Sequence, residues 1–142
     1  MATTESAVRA LFEMRSEAMG KKDIDQLMSL FSSDVIYFDL VPPLQYAGSA
    51  ALRERFTNWF EGWDGPIGIE THHLNIWVSG DVATASMLLR ASGTRTNGRE
   101  VGYWVRTTNG CQRSGDKWLI THEHVSLPVD FETGSAVMDL VP

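Results

Sequence analysis

Cysteine is almost absent from this chain of 142 residues. Cys111 stands alone, so no internal disulfide can form and the core must hold the fold. That usage suits a reducing, cytoplasmic setting. Positive charge is scarce too. Twelve Lys and Arg face eighteen Asp and Glu, for a formal net charge of −6, and no basic cluster stands out. The expectation is therefore no nucleic-acid surface, which needs a basic stripe, and no anionic membrane partner. No segment approaches the roughly 20 apolar residues of a membrane span. Met1-Ala2-Thr3-Thr4-Glu5 has neither the basic start nor the apolar run of a secretory leader. A phosphate-binding Gly-rich loop and a dinucleotide fingerprint are both missing. Only four histidines are present, and no Cys or carboxylate cluster joins them. The expectation is no metal and no cofactor.

Large apolar side chains are plentiful. Five Trp and six Phe in a chain that is 43% hydrophobic predict one domain with a sizeable core, a walled cavity, or both. From about Ser6 to Met19, Val8, Leu11, Phe12, Ala18 and Met19 fall on one helical face. Arg15 lies seven residues after Val8, inside that apolar stripe. Either its stem covers apolar surface while its head escapes to water, or the head meets an acid in the interior. Gly20 is read as the end of this helix. Asp23 caps a short second one with Ile24, Leu27, Met28 and Phe31 inward, broken by Ser32-Ser33-Asp34.

Val35 to Leu40 is β-branched and aromatic, hence a strand, with Tyr37 and Asp39 on one face. Pro42-Pro43 stops it. Ser49 opens a third helix with Leu52, Phe56, Trp59 and Phe60 inward, and 62–68 reads as a loop. Four strands follow: Ile67 to Val78, Val82 to Arg95, Arg99 to Arg113 and Lys117 to Leu127. Short turns join them, Asn97-Gly98 being a strong hairpin signal. Helices before sheet is the α+β order. Strands this long must bend, with Gly93 and Gly102 as candidate kinks. The expected shape is a cone: three N-terminal helices packed on a strongly curved antiparallel sheet. Residues 7–128 form the domain, and 129–142, without a clear period, form a C-terminal tail or flap.

Two stretches resemble known families. Gly20 to Phe56, with its short acid-capped helix, strand ending in Asp39 and Gly48-Ser49-Ala50-Ala51-Leu52-Arg53, resembles the bacterial ketosteroid isomerases. Trp104-Val105-Arg106-Thr107-Thr108 and Ile120-Thr121-His122-Glu123-His124-Val125 resemble the closing hairpin of SnoaL-like proteins. The association domain of calmodulin-dependent kinase ends similarly. All belong to the NTF2-like superfamily, whose cone hosts isomerases, cyclases, dehydratases, carriers and oligomerisation modules. The resemblance puts Asp39 on the isomerase's general base and Arg15 on its oxyanion-donating tyrosine. The second donor, a protonated acid, has no counterpart. Tyr103, Val105 and Thr107 occupy the candidate inward positions, so a steroid substrate is not implied. The resemblance also implies a homodimer through the sheet face bearing His122 and His124, with Glu123 on the pocket face.

These residues define the expected chemistry. A carboxylate in an apolar pocket has its charged form disfavoured and can serve as a base toward a carbon acid beside a carbonyl. Asp39 is that candidate, or else it only ends the strand and binds loop amides. Arg15 is its anion-stabilising partner, or a structural ion pair with Asp39 or Glu123. Tyr37, Trp59, Tyr103 and Glu123 are candidate substrate contacts, with Tyr46, Trp63 and Trp77 as further walls. Strict alternation places Trp118, Ile120, His122 and His124 on one face and Glu123 and Val125 on the other. Trp104, Arg106 and Thr108 share a face, toward the histidines or, if a bulge at Gly102 flips the register, toward the pocket. The expected function is a small-molecule pocket protein. It would be a cofactor-independent isomerase or cyclase acting on a hydrophobic carbonyl compound. The competing class is a non-catalytic ligand-binding or oligomerisation module in which Arg15, Asp39 and Glu123 close on one another. A dehydratase would need His72 or His73 to point inward.

Overall fold

The computed structural model describes residues 3–142; Met1 and Ala2, where the leader reading begins, lie outside the described residues. Helix α1 spans Thr4–Lys21. Thr3 starts it by accepting the Ser6 amide on its hydroxyl at 3.0 Å. Gly20 does not end it. The helix runs on to Lys21 and closes through Lys22 in the left-handed region at φ 56°, whose amide returns to the Ala18 and Met19 carbonyls. Gly20 serves packing instead: a Cβ there would stand 3.2 Å from the Ile67 carbonyl oxygen, so its bareness lets α1 lie close on the sheet.

Asp23 caps α2, Ile24–Met28, with its carboxylate on the Gln26 amide at 3.1 Å. Phe31 is not an inward residue of that helix; it opens β1, Phe31–Phe38. Ser32-Ser33-Asp34 bulges within the strand rather than preceding it, because Phe31 already pairs with Ile120. A two-residue β2, Tyr46–Ala47, leads into α3, Ser49–Glu61. The meander follows: β3 Trp63–Ser79, β4 Val82–Arg95, β5 Glu100–Ser114 and β6 Lys117–Ser126. Strand β3 therefore begins within the stretch read as a loop. Val129–Asp130 and Ser135–Ala136 form a small separate hairpin, β7 and β8, in the tail.

The main sheet has six strands in the order β2-β1-β6-β5-β4-β3. Its meander is antiparallel, while β1 joins β6 in parallel. This is the expected α+β cone, with a mixed rather than wholly antiparallel sheet. The helices cover one sheet face, and the core between them includes Val8, Leu11, Leu27, Leu52, Ala85 and Ile120. No helix among the described residues is long and apolar enough to cross a membrane.

Strict alternation fails on β6. Gly110 pairs with His122 and Cys111 with Ile120, which leaves Thr121 as an extra residue. The bulge flips the register in mid-strand. Trp118 and Ile120 are therefore buried on the same side as Glu123 and Val125, not with the histidines. Gly102, by contrast, causes no shift, since β4 and β5 pair in unbroken register. Trp104, Arg106 and Thr108 accordingly share the histidine face.

Deleting Thr121 should restore simple alternation and turn Trp118 and Ile120 out of the core. The expected outcome is loss of soluble, cooperatively melting protein, read by circular dichroism. A deletion variant that melts like the parent would show that the bulge does not set this register.

Candidate functional site

The site grows from two arginines that interrupt apolar helical stripes. Arg15, on α1, is 1% exposed. Its Nη1 donates to Glu123 Oε1 in a buried ion pair, its Nη2 lies 3.2 Å from Met87 Sδ, and its guanidinium packs 4.9 Å from the Phe12 ring. Asn109 Nδ2 donates to the same Glu123 oxygen at 2.7 Å. Both donors come from elements that the sequence holds far apart. The bulge at Thr121 is what turns Glu123 toward them.

Arg55, on α3, forms the second pair. Its Nε donates to Asp39 Oδ2 at 2.7 Å, and the Leu40 amide donates to Asp39 Oδ1 at 2.6 Å. Asp39 thus has hydrogen-bond donors on both carboxylate oxygens, unlike the bare apolar setting expected for it. Arg15 is not its partner. The anion-stabilising role expected of Arg15 at Asp39 has no contact here, because Glu123 takes the guanidinium deeper in the core. Arg55 was missed by sequence reasoning. The signal was present: Arg55 is three residues after Leu52 and four before Trp59, inside the inward stripe, as Arg15 is in its own helix.

A cleft opens between α3 and the helix-covered face of the sheet. Its free space, mouth included, is about 550 Å³. Tyr37, Asp39, Trp59, Tyr103 and Glu123 all line it, with Arg55 and Thr107 among the other polar members. Met19, Phe56, Leu89, Val105 and Val125 supply apolar wall. Arg15 does not line it; it stands behind Glu123. Buried Glu123, Tyr37 and Thr107 make the inner end, whereas half-buried Asp39, Arg55, Trp59 and Tyr103 lie nearer solvent.

Burial holds the Tyr37 phenol well above its ordinary range, and the negative charges of Glu123 and Asp39 push it further the same way. Tyr103 is also raised, by burial, against the lowering pull of its Trp59 hydrogen bond and of Arg95 and Arg55. Trp59 Nε1 donates to Tyr103 Oη at 3.4 Å, which leaves that phenol proton available. Both phenols are therefore proton-bearing donors at neutral pH. Cys111 is buried and its thiol is pushed up to about 12, so it is no nucleophile.

The histidines stand elsewhere. His122 Nδ1 is 2.8 Å from the Ile36 carbonyl oxygen, and Phe38 packs edge-on against His122 and His124 at 5.0 and 5.4 Å. His72 packs on Trp104 at 4.7 Å and on His73 at 6.2 Å. None of the four lines the cleft. Trp77, expected as a wall, pairs with Thr84 on the open sheet face and is 59% exposed. Trp63 is buried behind Trp59 at 6.0 Å, and Tyr46 donates its hydroxyl to the Pro42 carbonyl at 3.2 Å; neither reaches the cleft. Among the described residues no group of three or more His, Cys, Asp or Glu is placed to hold a metal ion.

Comparison with known proteins agrees with this architecture. A family model described as a SnoaL-like domain matches residues 8–130. The chain is similar to an NTF2-like protein of unknown function from Pseudomonas putida KT2440, at 29% identity and a TM-score of 0.88 over 100% of both chains. It resembles an NTF2-like superfamily protein from Salmonella enterica serovar Typhimurium LT2 at 17% identity, TM-score 0.80, over 95% of this chain and 100% of that one. It also resembles an NTF2-like protein from Streptomyces avermitilis provisionally named a dehydratase, at 19% identity, TM-score 0.77, over 89% and 97%. The last two likenesses show the fold alone. A search of curated proteins finds no match.

Replacing Arg15 by Met strands the Glu123 charge and should cost about 3–5 kcal/mol of stability in urea denaturation. Adding Glu123→Leu to that variant removes the stranded charge and should recover most of the loss. Equal destabilisation of the single and double variants would contradict this account of the pair.

Proposed function

The chain belongs to the SnoaL-like domain family of the NTF2-like superfamily, and from that premise we propose that it is a small-molecule pocket protein: a cofactor-independent isomerase or cyclase acting on a hydrophobic carbonyl compound. The observation that carries this reading is the convergence of the outer carboxylate, Asp39, and two proton-bearing phenols, Tyr37 and Tyr103, on a single apolar-walled cleft whose inner end holds a second acid, Glu123.

In this reading Asp39 removes a proton from the carbon next to the substrate carbonyl. Arg55 and the Leu40 amide fix the direction of its carboxylate. The Tyr103 hydroxyl, accepting from Trp59, donates to the oxygen on which enolate charge develops. Return of the proton to a different carbon gives isomerisation; attack of the enolate carbon on a second carbonyl within the substrate gives cyclisation. Tyr37 and Glu123 meet a polar group at the inner end. Arg15 acts through Glu123, as a positioning residue.

The competing reading is a non-catalytic binding module. It is favoured by one specific feature: both Asp39 oxygens are already engaged by the protein. Hydrogen exchange separates the two. With 2-tetralone in D2O, the catalytic reading expects enzyme-dependent deuteration at the carbons beside the carbonyl, falling about 10²–10⁴-fold in Asp39→Asn. Exchange that is absent, or unchanged in Asp39→Asn, rejects Asp39 as the base.

We further propose that two copies of the chain pair through the sheet face opposite the cleft. Phe38, Trp104, Arg106, Thr108 and His124 share that face, which the helices leave uncovered. Apolar and aromatic residues on an uncovered sheet face support an interface. Light scattering should give a dimer mass, and Thr108→Arg should convert it to a monomer that keeps a folded circular-dichroism spectrum and melts somewhat lower, having lost the partner's stabilisation. A monomeric parent protein would remove the proposal.

A further inference from the structure

We propose that Arg55 forms an anion subsite at the outer end of the cleft, and that the molecule bound there is hydrophobic and carries one carboxylate. The inference rests on the pocket reading above and names its ligand class.

Arg55 lines the cleft with its side chain half-buried. Its Nε is committed to Asp39 Oδ2 at 2.7 Å. Among the described residues, neither Nη1 nor Nη2 has a protein hydrogen-bond partner, and neither is sealed from solvent. A guanidinium is planar and presents two edges. Engagement of Nε orients the plane, and the terminal edge, with its two parallel N–H groups, stays open. That edge is the geometry that takes a carboxylate in a bidentate grip. Asp39 does not occupy it: its Oδ2 meets Nε alone, and its Oδ1 accepts the Leu40 amide.

A second cation stands near. Arg95 packs 4.9 Å from the Trp63 ring and has no acid within salt-bridge distance among the described residues. Trp63 packs on Trp59 at 6.0 Å, and Trp59 is bonded to Tyr103. This aromatic chain connects Arg95 to the cleft wall. The field of both guanidiniums reaches the Tyr103 hydroxyl, although burial has the larger effect there. In a chain of net charge −6, cations gathered at this end run against the overall balance. The apolar walls, Phe56, Leu89 and Val105 among them, fit a hydrocarbon body between the anion and the inner polar end.

The test is calorimetric titration of the full chain with 2-naphthoate and with its neutral isostere, 2-naphthamide. The subsite predicts that the acid binds about tenfold or more tightly than the amide, as a charged bidentate contact requires. Arg55→Met should abolish that preference, read as the ratio of acid to amide affinity within the variant. Arg55→Lys keeps the charge without the fork and should retain only part of it; it also serves if the Met variant, having stripped Asp39 of its partner, does not fold. Equal binding of acid and amide by the parent protein, or a preference that survives in either variant at full strength, overturns the subsite while leaving the pocket reading standing. Failure of both probes to bind overturns the subsite as well. Native mass spectrometry of the untreated protein reads pocket occupancy independently, so the two readings can fail separately.

Discussion

The contact between Arg15 and Glu123 ties the first helix to the last long strand through the middle of the core. Both groups are almost fully buried, at 1% and 3% exposure. Removing two charges from water is expensive, and the return depends on geometry and on further hydrogen bonds. Asn109 supplies one such bond. The pair therefore constrains three elements at once: the rotation of α1, the register of β6 and the inward face of β5. Glu123 can reach Arg15 only because the Thr121 bulge changes which β6 residues face the helices. With Glu123 held from behind, the cleft acquires a polar inner end beneath apolar walls.

Much of this was legible from residue order. Helical stripes, the Asp23 cap and the four-strand meander follow from periodicity and turn chemistry. The in-stripe position of Arg15 left open an exposed head or an interior acid; the head meets Glu123, one of the two acids named for a structural pair. Tyr37, Asp39, Trp59, Tyr103 and Glu123 do converge on one cleft. The failures share a cause. The Thr121 bulge and the irregular start of β1 are pairing events between distant strands, and no local pattern records them. The same gap let Asp39 be matched with Arg15 when Arg55, sixteen residues away on the next helix, lies beside it. Glycine misled as well: Gly20 permits close packing on Ile67 rather than ending α1, and Gly102 causes no shift of register.

The two ion pairs divide the labour of the cleft. Arg15–Glu123 is closed off behind the inner end and belongs to the architecture. Arg55–Asp39 sits at the outer end, half-buried, with one guanidinium edge still open. Between them the wall is aromatic and aliphatic, and the two phenols retain their protons. Such a chamber is polar at both ends and apolar along its length. On the proposed function it selects small molecules by shape and by where their polar groups fall, which suits a fold that carries different chemistries on one frame.

Every role proposed for the cleft depends on a small hydrophobic molecule binding there. Methyl-resolved NMR of the full chain, titrated with 2-tetralone, tests this most directly. Saturable shifts at the Met19, Leu89, Val105 and Val125 methyls, with Leu88 on the opposite sheet face unmoved, are the result expected. Shifts confined to Leu88 and other methyls outside the cleft, with the four lining methyls silent, would contradict it.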